Sequence, residues 1–175
     1  CRGAIARNYP GGIGGTVGPS PPFREGGFVI EDEVQARSFV AERTGERGMA
    51  RLDILDRELR EENERQHRVS GASLDSLWRR HFADSAQLLD YVPRETIGEW
   101  LDLGSGAGLP GLVIAAMRHD ISVILVESRR KRIEWLNRMI DTLDLAKCRV
   151  EGCRLELVES FAAGVISARA FAPLP

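Results

Sequence analysis

The sequence predicts an α/β fold, a doubly wound and mostly parallel sheet preceded by a helical extension, and three observations carry that expectation. In Glu99-Trp100-Leu101-Asp102-Leu103-Gly104-Ser105-Gly106-Ala107-Gly108-Leu109-Pro110-Gly111 an apolar strand runs into four closely spaced glycines and then into an apolar helix. Beyond Pro93, short apolar runs alternate with helical stretches, the βαβ order that builds a parallel sheet. Before Pro93, from Glu31 to about Val92, apolar residues return every three or four positions, the period of a helix with one buried face.

Taken in order, residues 1–28 hold Gly11-Gly12-Ile13-Gly14-Gly15 and Pro19-Ser20-Pro21-Pro22, a composition too poor in apolar surface to offset the entropy of ordering it. They begin with Cys1 and are expected to be a disordered or non-native leader. Residues 29–93 form the helical region. Val34, Phe39 and Val40 mark one short helix, and Leu52, Leu55 and Leu59 mark a second. A third places Leu74, Leu77, Trp78, Phe82, Ser85, Leu88 and Leu89 on one stripe, with Ser73 and Asp75 supplying N-cap oxygens. Residues 94–175 form the sheet domain: strand 100–103, helix 110–117, strand 123–127, helix 130 to about 143, strand 149–151 and strand 165–168. An open parallel sheet ending there leaves a strand edge unpaired, so further C-terminal strands are expected to be missing.

Length and composition point to one core of ordinary size: 175 residues, 43% hydrophobic and 29% charged. The formal net charge of -2 means that any nucleic acid must be gripped by a local basic face. Cys1, Cys148 and Cys153 make neither a CxxC pair nor an even framework, so neither a disulfide nor a metal site is expected. No stretch approaches about 18 apolar residues and no signal pattern opens the chain, so no membrane partner is expected and the cytoplasm is the expected compartment.

The glycine loop is built to meet an anionic or nucleotide ligand, because glycine permits sharp turns and close approach while the helix start offers free amides. Gly106 to Gly111 also fits the dinucleotide pattern GxGxxG, so spacing alone leaves two cofactors open. Asp102 separates them. A carboxylate directly before the loop repels a pyrophosphate but suits the ammonium and sulfonium of S-adenosylmethionine. Glu127 ends the second strand about twenty residues after the glycines, where a carboxylate accepts both ribose hydroxyls. Arg129-Arg130-Lys131-Arg132 puts four cations at a helix start, against its dipole, and RNA phosphates are one compensation. Arg80 beside Arg79 and His81 forms a second basic group, and Arg65, His67 and Arg68 a third. His81 and Asp84, three apart on a helix, are placed to hydrogen-bond. Arg169 follows the fourth strand at the carboxyl edge of the sheet, a place for an anion.

Trp78-Arg79-Arg80-His81-Phe82-Ala83-Asp84-Ser85, the Leu101–Gly111 loop, Val126-Glu127-Ser128 and Ala168-Arg169-Ala170, in this order, resemble the bacterial small-subunit ribosomal RNA guanine-N7 methyltransferases, the glucose-inhibited division protein B family. The resemblance spans roughly Ile30 to Pro175. It implies a Rossmann-like class I S-adenosylmethionine-dependent methyltransferase fold, with transfer of a methyl group to N7 of one guanine in the decoding-region loop of 16S rRNA. It places cofactor contacts on Gly104, Leu109, Leu155, Glu156 and Arg169, beside Asp102, Gly106 and Glu127 from the loop reading. RNA contacts are expected at Arg80, Arg129, Arg130, Lys131 and Arg132, with free 16S rRNA or the small ribosomal subunit as partner and a monomer as the acting species. No catalytic acid or base and no metal is expected. The chain departs from the family pattern at His67-Arg68-Val69-Ser70 and around Ala163-Gly164. Two other functions share parts of this pattern: a binding-only fragment, and a nicotinamide-dependent oxidoreductase, which explains the loop and Glu127 but not Asp102.

Overall fold

The computed structural model describes residues 29–64, the backbone of 65–66, and residues 74–93, 96, 98–158 and 162–169. The leader at 1–28, the Ser73 cap and the Arg65, His67 and Arg68 group lie outside those residues or rest on side chains that do.

The chain opens with α1 (Glu33–Ala41) and α2 (Glu46–Gln66). A helical run follows, made of a π-helix (Trp78–Ala83), α3 (Asp84–Gln87) and a 3-10 turn (Leu88–Tyr91). Then come β1 (Glu99–Leu103), α4 (Gly111–Met117), β2 (Val123–Val126), α5 (Arg130–Thr142), β3 (Cys148–Glu151), a 3-10 turn (Leu155–Leu157) and β4 (Ala163–Ala168). The strands lie in the order β3-β2-β1-β4, and all three pairings are parallel. This is the expected α/β arrangement, with β4 two residues longer at its start than the sequence predicts. The departure at Ala163-Gly164 thus belongs to the strand itself.

Alternation along the strands divides the core. Trp100, Val123 and Leu125 face the helices in one large cluster, while Leu101, Ile124 and Val126 face the other way. Every residue of α4 is buried, because GLVIAAM carries no charge and is covered by the sheet on one side and the helical region on the other. Leu52, Leu55 and Leu59 of α2 are fully buried, as their spacing predicts. Val34 is a correction. It is 74% exposed, and Ala36 and Val40 carry the buried face of α1.

The start of the π-helix is held by another element. Glu33 of α1 accepts the backbone amides of Trp78 at 3.0 Å and Arg79 at 2.9 Å. Two orphan amides thereby gain a charged acceptor. Among the described residues, no helix is long and apolar enough to cross a membrane.

Candidate functional site

Strand order fixes where a ligand belongs. The chain moves outward from β1 to β2 and β3, then returns to β4 on the other side of β1. In an open parallel sheet the crevice lies outside the carboxyl ends of the strands at this reversal. The glycine loop leaves β1 there, and Arg169 leaves β4 there.

The loop uses its glycines as the sequence predicts. Gly104, Gly106 and Gly108 have φ of 69°, 59° and 95°, the left-handed region that other residues rarely enter. Gly111 is needed for closeness, since a Cβ there would stand 2.8 Å from Asp102 Oδ2 and 2.3 Å from a Leu125 methyl. Three contacts pin the loop. Ser105 N–H donates to Val126 O at 3.0 Å. Trp135 Nε1 of α5 donates to Ala107 O at 3.0 Å. Gly106 N–H donates to Glu127 Oε2 at 3.1 Å. The Trp135 prop was missed in the sequence, where it reads only as one apolar position of α5.

Glu127 follows β2 and is 5% exposed. Its Oε1 accepts the amides of Ser128 at 2.8 Å and Arg129 at 2.9 Å, and Arg132 Nη1 lies 3.4 Å from Oε2. Burial alone would raise its pKa, but the amides of Arg129, Ser128 and Gly106 together with the Arg132 guanidinium outweigh burial and hold the carboxyl below its ordinary value. The carboxylate is thus fixed and charged beside the loop.

Asp102 is 1% exposed on the helix-facing side of β1. Its Oδ1 accepts a 2.6 Å hydrogen bond from Ser167 Oγ, while Oδ2 has no hydrogen-bond partner. Burial raises its pKa, opposed by Ser167, Ser105 and the Gly111 amide. A buried carboxylate with one unpartnered oxygen at the root of the loop fits the ammonium of an amino-acid-bearing cofactor and disfavours a pyrophosphate. Asp102, Gly104, Gly106 and Glu127 fit S-adenosylmethionine on these grounds.

The remaining expected contacts are spread around the crevice. Leu109 is buried in the main core at 8% exposure, so its side chain packs inward. Leu155 and Glu156 stand exposed in the 3-10 turn beyond β3. Arg169 reaches back to the helical region: Nη2 donates to Arg80 O at 3.2 Å, and Nη1 lies 3.3 Å from Asp84 Oδ2. The expected His81–Asp84 hydrogen bond does not form. Both ring nitrogens of His81 lack partners, and Asp84 turns to the stronger charge of Arg169.

The cations at the start of α5 also have protein partners. Arg132 pairs with Glu127, Arg130 lies 3.1 Å from Glu134, and Lys131 is engaged as well. Glu127, by taking the amides of Ser128 and Arg129, supplies the negative charge that the helix start calls for. Arg129 and Arg130 remain exposed beside the crevice. Among the described residues, no group of three or more His, Cys, Asp or Glu is placed to hold a metal ion.

Residues 49–175 match the family model described as rRNA small subunit methyltransferase G. The chain belongs to this family. It is similar to "Ribosomal RNA small subunit methyltransferase G" of Erythrobacter litoralis, 63% identical over 146 residues that cover 83% of this chain and 70% of the relative. The protein of the same name from Novosphingobium aromaticivorans is 53% identical over 151 residues, 84% of this chain and 65% of the relative. That from Rhizorhabdus wittichii is 45% identical over 143 residues, 81% of this chain and 66% of the relative. The chain spans about two thirds of the length of these members of the methyltransferase G family.

Proposed function

We propose that the protein transfers a methyl group from S-adenosylmethionine to N7 of one guanine in the decoding-region loop of 16S rRNA. The observation that supports it most is the buried Asp102 with its unpartnered Oδ2 at the root of the positive-φ glycine loop. The names of the relatives support the ribosomal RNA substrate.

Bound S-adenosylmethionine supplies an electrophilic methyl group on a sulfonium. Asp102 holds its amino group, Glu127 its ribose hydroxyls, and the amides from Gly104 to Gly108 shape the pocket around the rest. Leu109 contributes through its backbone, Leu155 and Glu156 border the adenine side, and Arg169 takes the cofactor carboxylate. Guanine N7 has an in-plane lone pair and no proton to lose, so no side chain acts as acid or base. The chain's contribution is alignment and exclusion of water. Arg80, Arg129, Arg130, Lys131 and Arg132 border the crevice as phosphate contacts for 16S rRNA or the small subunit. The protein acts as a monomer in the cytoplasm and uses no metal.

The test is transfer of a labelled methyl group to 16S rRNA, followed by backbone cleavage specific for N7-methylguanine. The proposal expects label at one guanine of the decoding-region loop. Label at another atom or another RNA would overturn it.

A further inference from the structure

Asp102 occupies an awkward place. Its neighbours on the same sheet face are Trp100, Leu125 and Ser167, and α4 closes over them. Such a site favours the neutral carboxylic acid, which could not hold an ammonium group. The groups that oppose this are hydroxyls and an amide: Ser167 from β4, Ser105 from the following loop and the Gly111 amide at the start of α4. The titratable neighbour from β3, the Cys148 thiol, is itself pushed up to about 12 by burial and by the Asp102 charge, so it stays neutral.

Ser167 is the strongest of these groups, and its geometry shows why. Strand register sets it directly beside Asp102. Trp100 Nε1 donates to Ser167 Oγ at 2.9 Å, and Ser167 Oγ donates to Asp102 Oδ1 at 2.6 Å. An indole N–H can only donate, so it occupies a lone pair of the serine oxygen and leaves the single hydroxyl proton for the carboxylate. The short O–H···O⁻ contact is a charge-assisted bond that favours ionised Asp102. With Oδ1 filled from β4, Oδ2 is left buried against Gly111 at the start of α4.

We propose that Ser167, oriented by Trp100, is a positioning residue that keeps Asp102 charged and fixes the orientation of its carboxylate for the amino group of the cofactor. This rests on the reading of S-adenosylmethionine as the cofactor. The edge strand of the described sheet thereby sets the ligand affinity of the central one. Nothing in the local sequence around Ser167 marks it, because its partners are 65 and 67 residues away.

The experiment compares the full chain with Ser167→Ala, Ser167→Cys and Ser167→Thr by two readouts. The first is a carbon-13 NMR titration of the Asp102 carboxyl without ligand. Removing the hydroxyl in Ala or Cys raises the midpoint by about one unit or more, and Thr restores it. An unchanged midpoint overturns the proposal whatever the cofactor is. The second is calorimetry with S-adenosylhomocysteine and with methylthioadenosine, which lacks the amino-acid moiety. Ala and Cys weaken S-adenosylhomocysteine by up to about tenfold per unit of midpoint rise at pH values below the parent midpoint. The loss sets in at a higher pH than in the parent, because ionised Asp102 is the binding form and its midpoint has moved up. Methylthioadenosine affinity stays put. Equal weakening of both ligands, or of neither, overturns the role of Ser167 while the cofactor reading stands. A parent chain that binds neither ligand overturns the cofactor reading, and the carboxyl titration still decides whether Ser167 holds Asp102 ionised.

Discussion

His81 shows how a contact across the fold displaces one along the helix. Its spacing to Asp84 is right for a hydrogen bond, yet Arg169, distant in sequence, arrives from the end of β4 and takes Asp84. Burial first and then the Arg169 charge depress the His81 pKa to about 4, against an opposing pull from Asp84 that exceeds the small further push from Arg80. Between the ordinary value of 6.5 and about 4 the unfolded chain binds the extra proton and the folded chain does not. Stability that is complete above the ordinary value is therefore lost as pH falls through this window. The melting temperature of the parent should drop on acidification from pH 6.5 to 4, and His81→Asn should flatten that part of the profile. Parallel profiles for the two proteins would contradict the assignment. Asp102, Gly104, Gly106 and Glu127 were legible because each sits at a strand end in a local motif. Ser167 and Trp135 were not, because their value lies in partners that only the fold brings near.

At the scale of elements, a side chain of α1 holds the start of the π-helix. The Ser73 cap lies outside the described residues, and further along the chain the amides of Trp78 and Arg79 are taken by the carboxylate of Glu33. Glu33→Ala should lower unfolding stability by about 1–2 kcal/mol, the usual range for a lost cap. Urea unfolding checks it: a lower midpoint with an unchanged slope is expected, and an unchanged midpoint would show that the cap contributes nothing. Strand β2 was legible to within a residue or so because a parallel strand buried on both faces reads as a continuous apolar run, and β1 because it runs straight into the glycine loop. The start of β4 was not, since Ala163 and Gly164 have no strand propensity. Gly164 is the extra residue at a register shift, since Glu99 pairs with Ala163 and Trp100 with Val165, and it lies close to Gly98, whose Cβ, if present, would stand 2.8 Å from the Gly164 nitrogen. The basic start of α5 read as a place for RNA, and Glu127 and Glu134 supply much of the compensation within the protein.

At the scale of the whole molecule, strand order converts scattered motifs into one site. The reversal between β1 and β4 sets the glycine loop, the Asp102–Ser167 bond and Arg169 at the same edge of the sheet. The helical region shares the main core and reaches that edge through Asp84 and the Arg80 carbonyl. We propose this edge as an S-adenosylmethionine site rather than a dinucleotide site. The most direct measurement is a thermal-shift titration of the full chain with S-adenosylmethionine, S-adenosylhomocysteine and NAD, with Gly104→Val as the control. A ligand that binds only the folded state at about a hundred times its Kd adds about 2.7 kcal/mol of stability. The two adenosyl amino acids should raise the melting temperature, NAD should not, and Gly104→Val should abolish the shift. A shift with NAD alone, or none with any ligand, would contradict it.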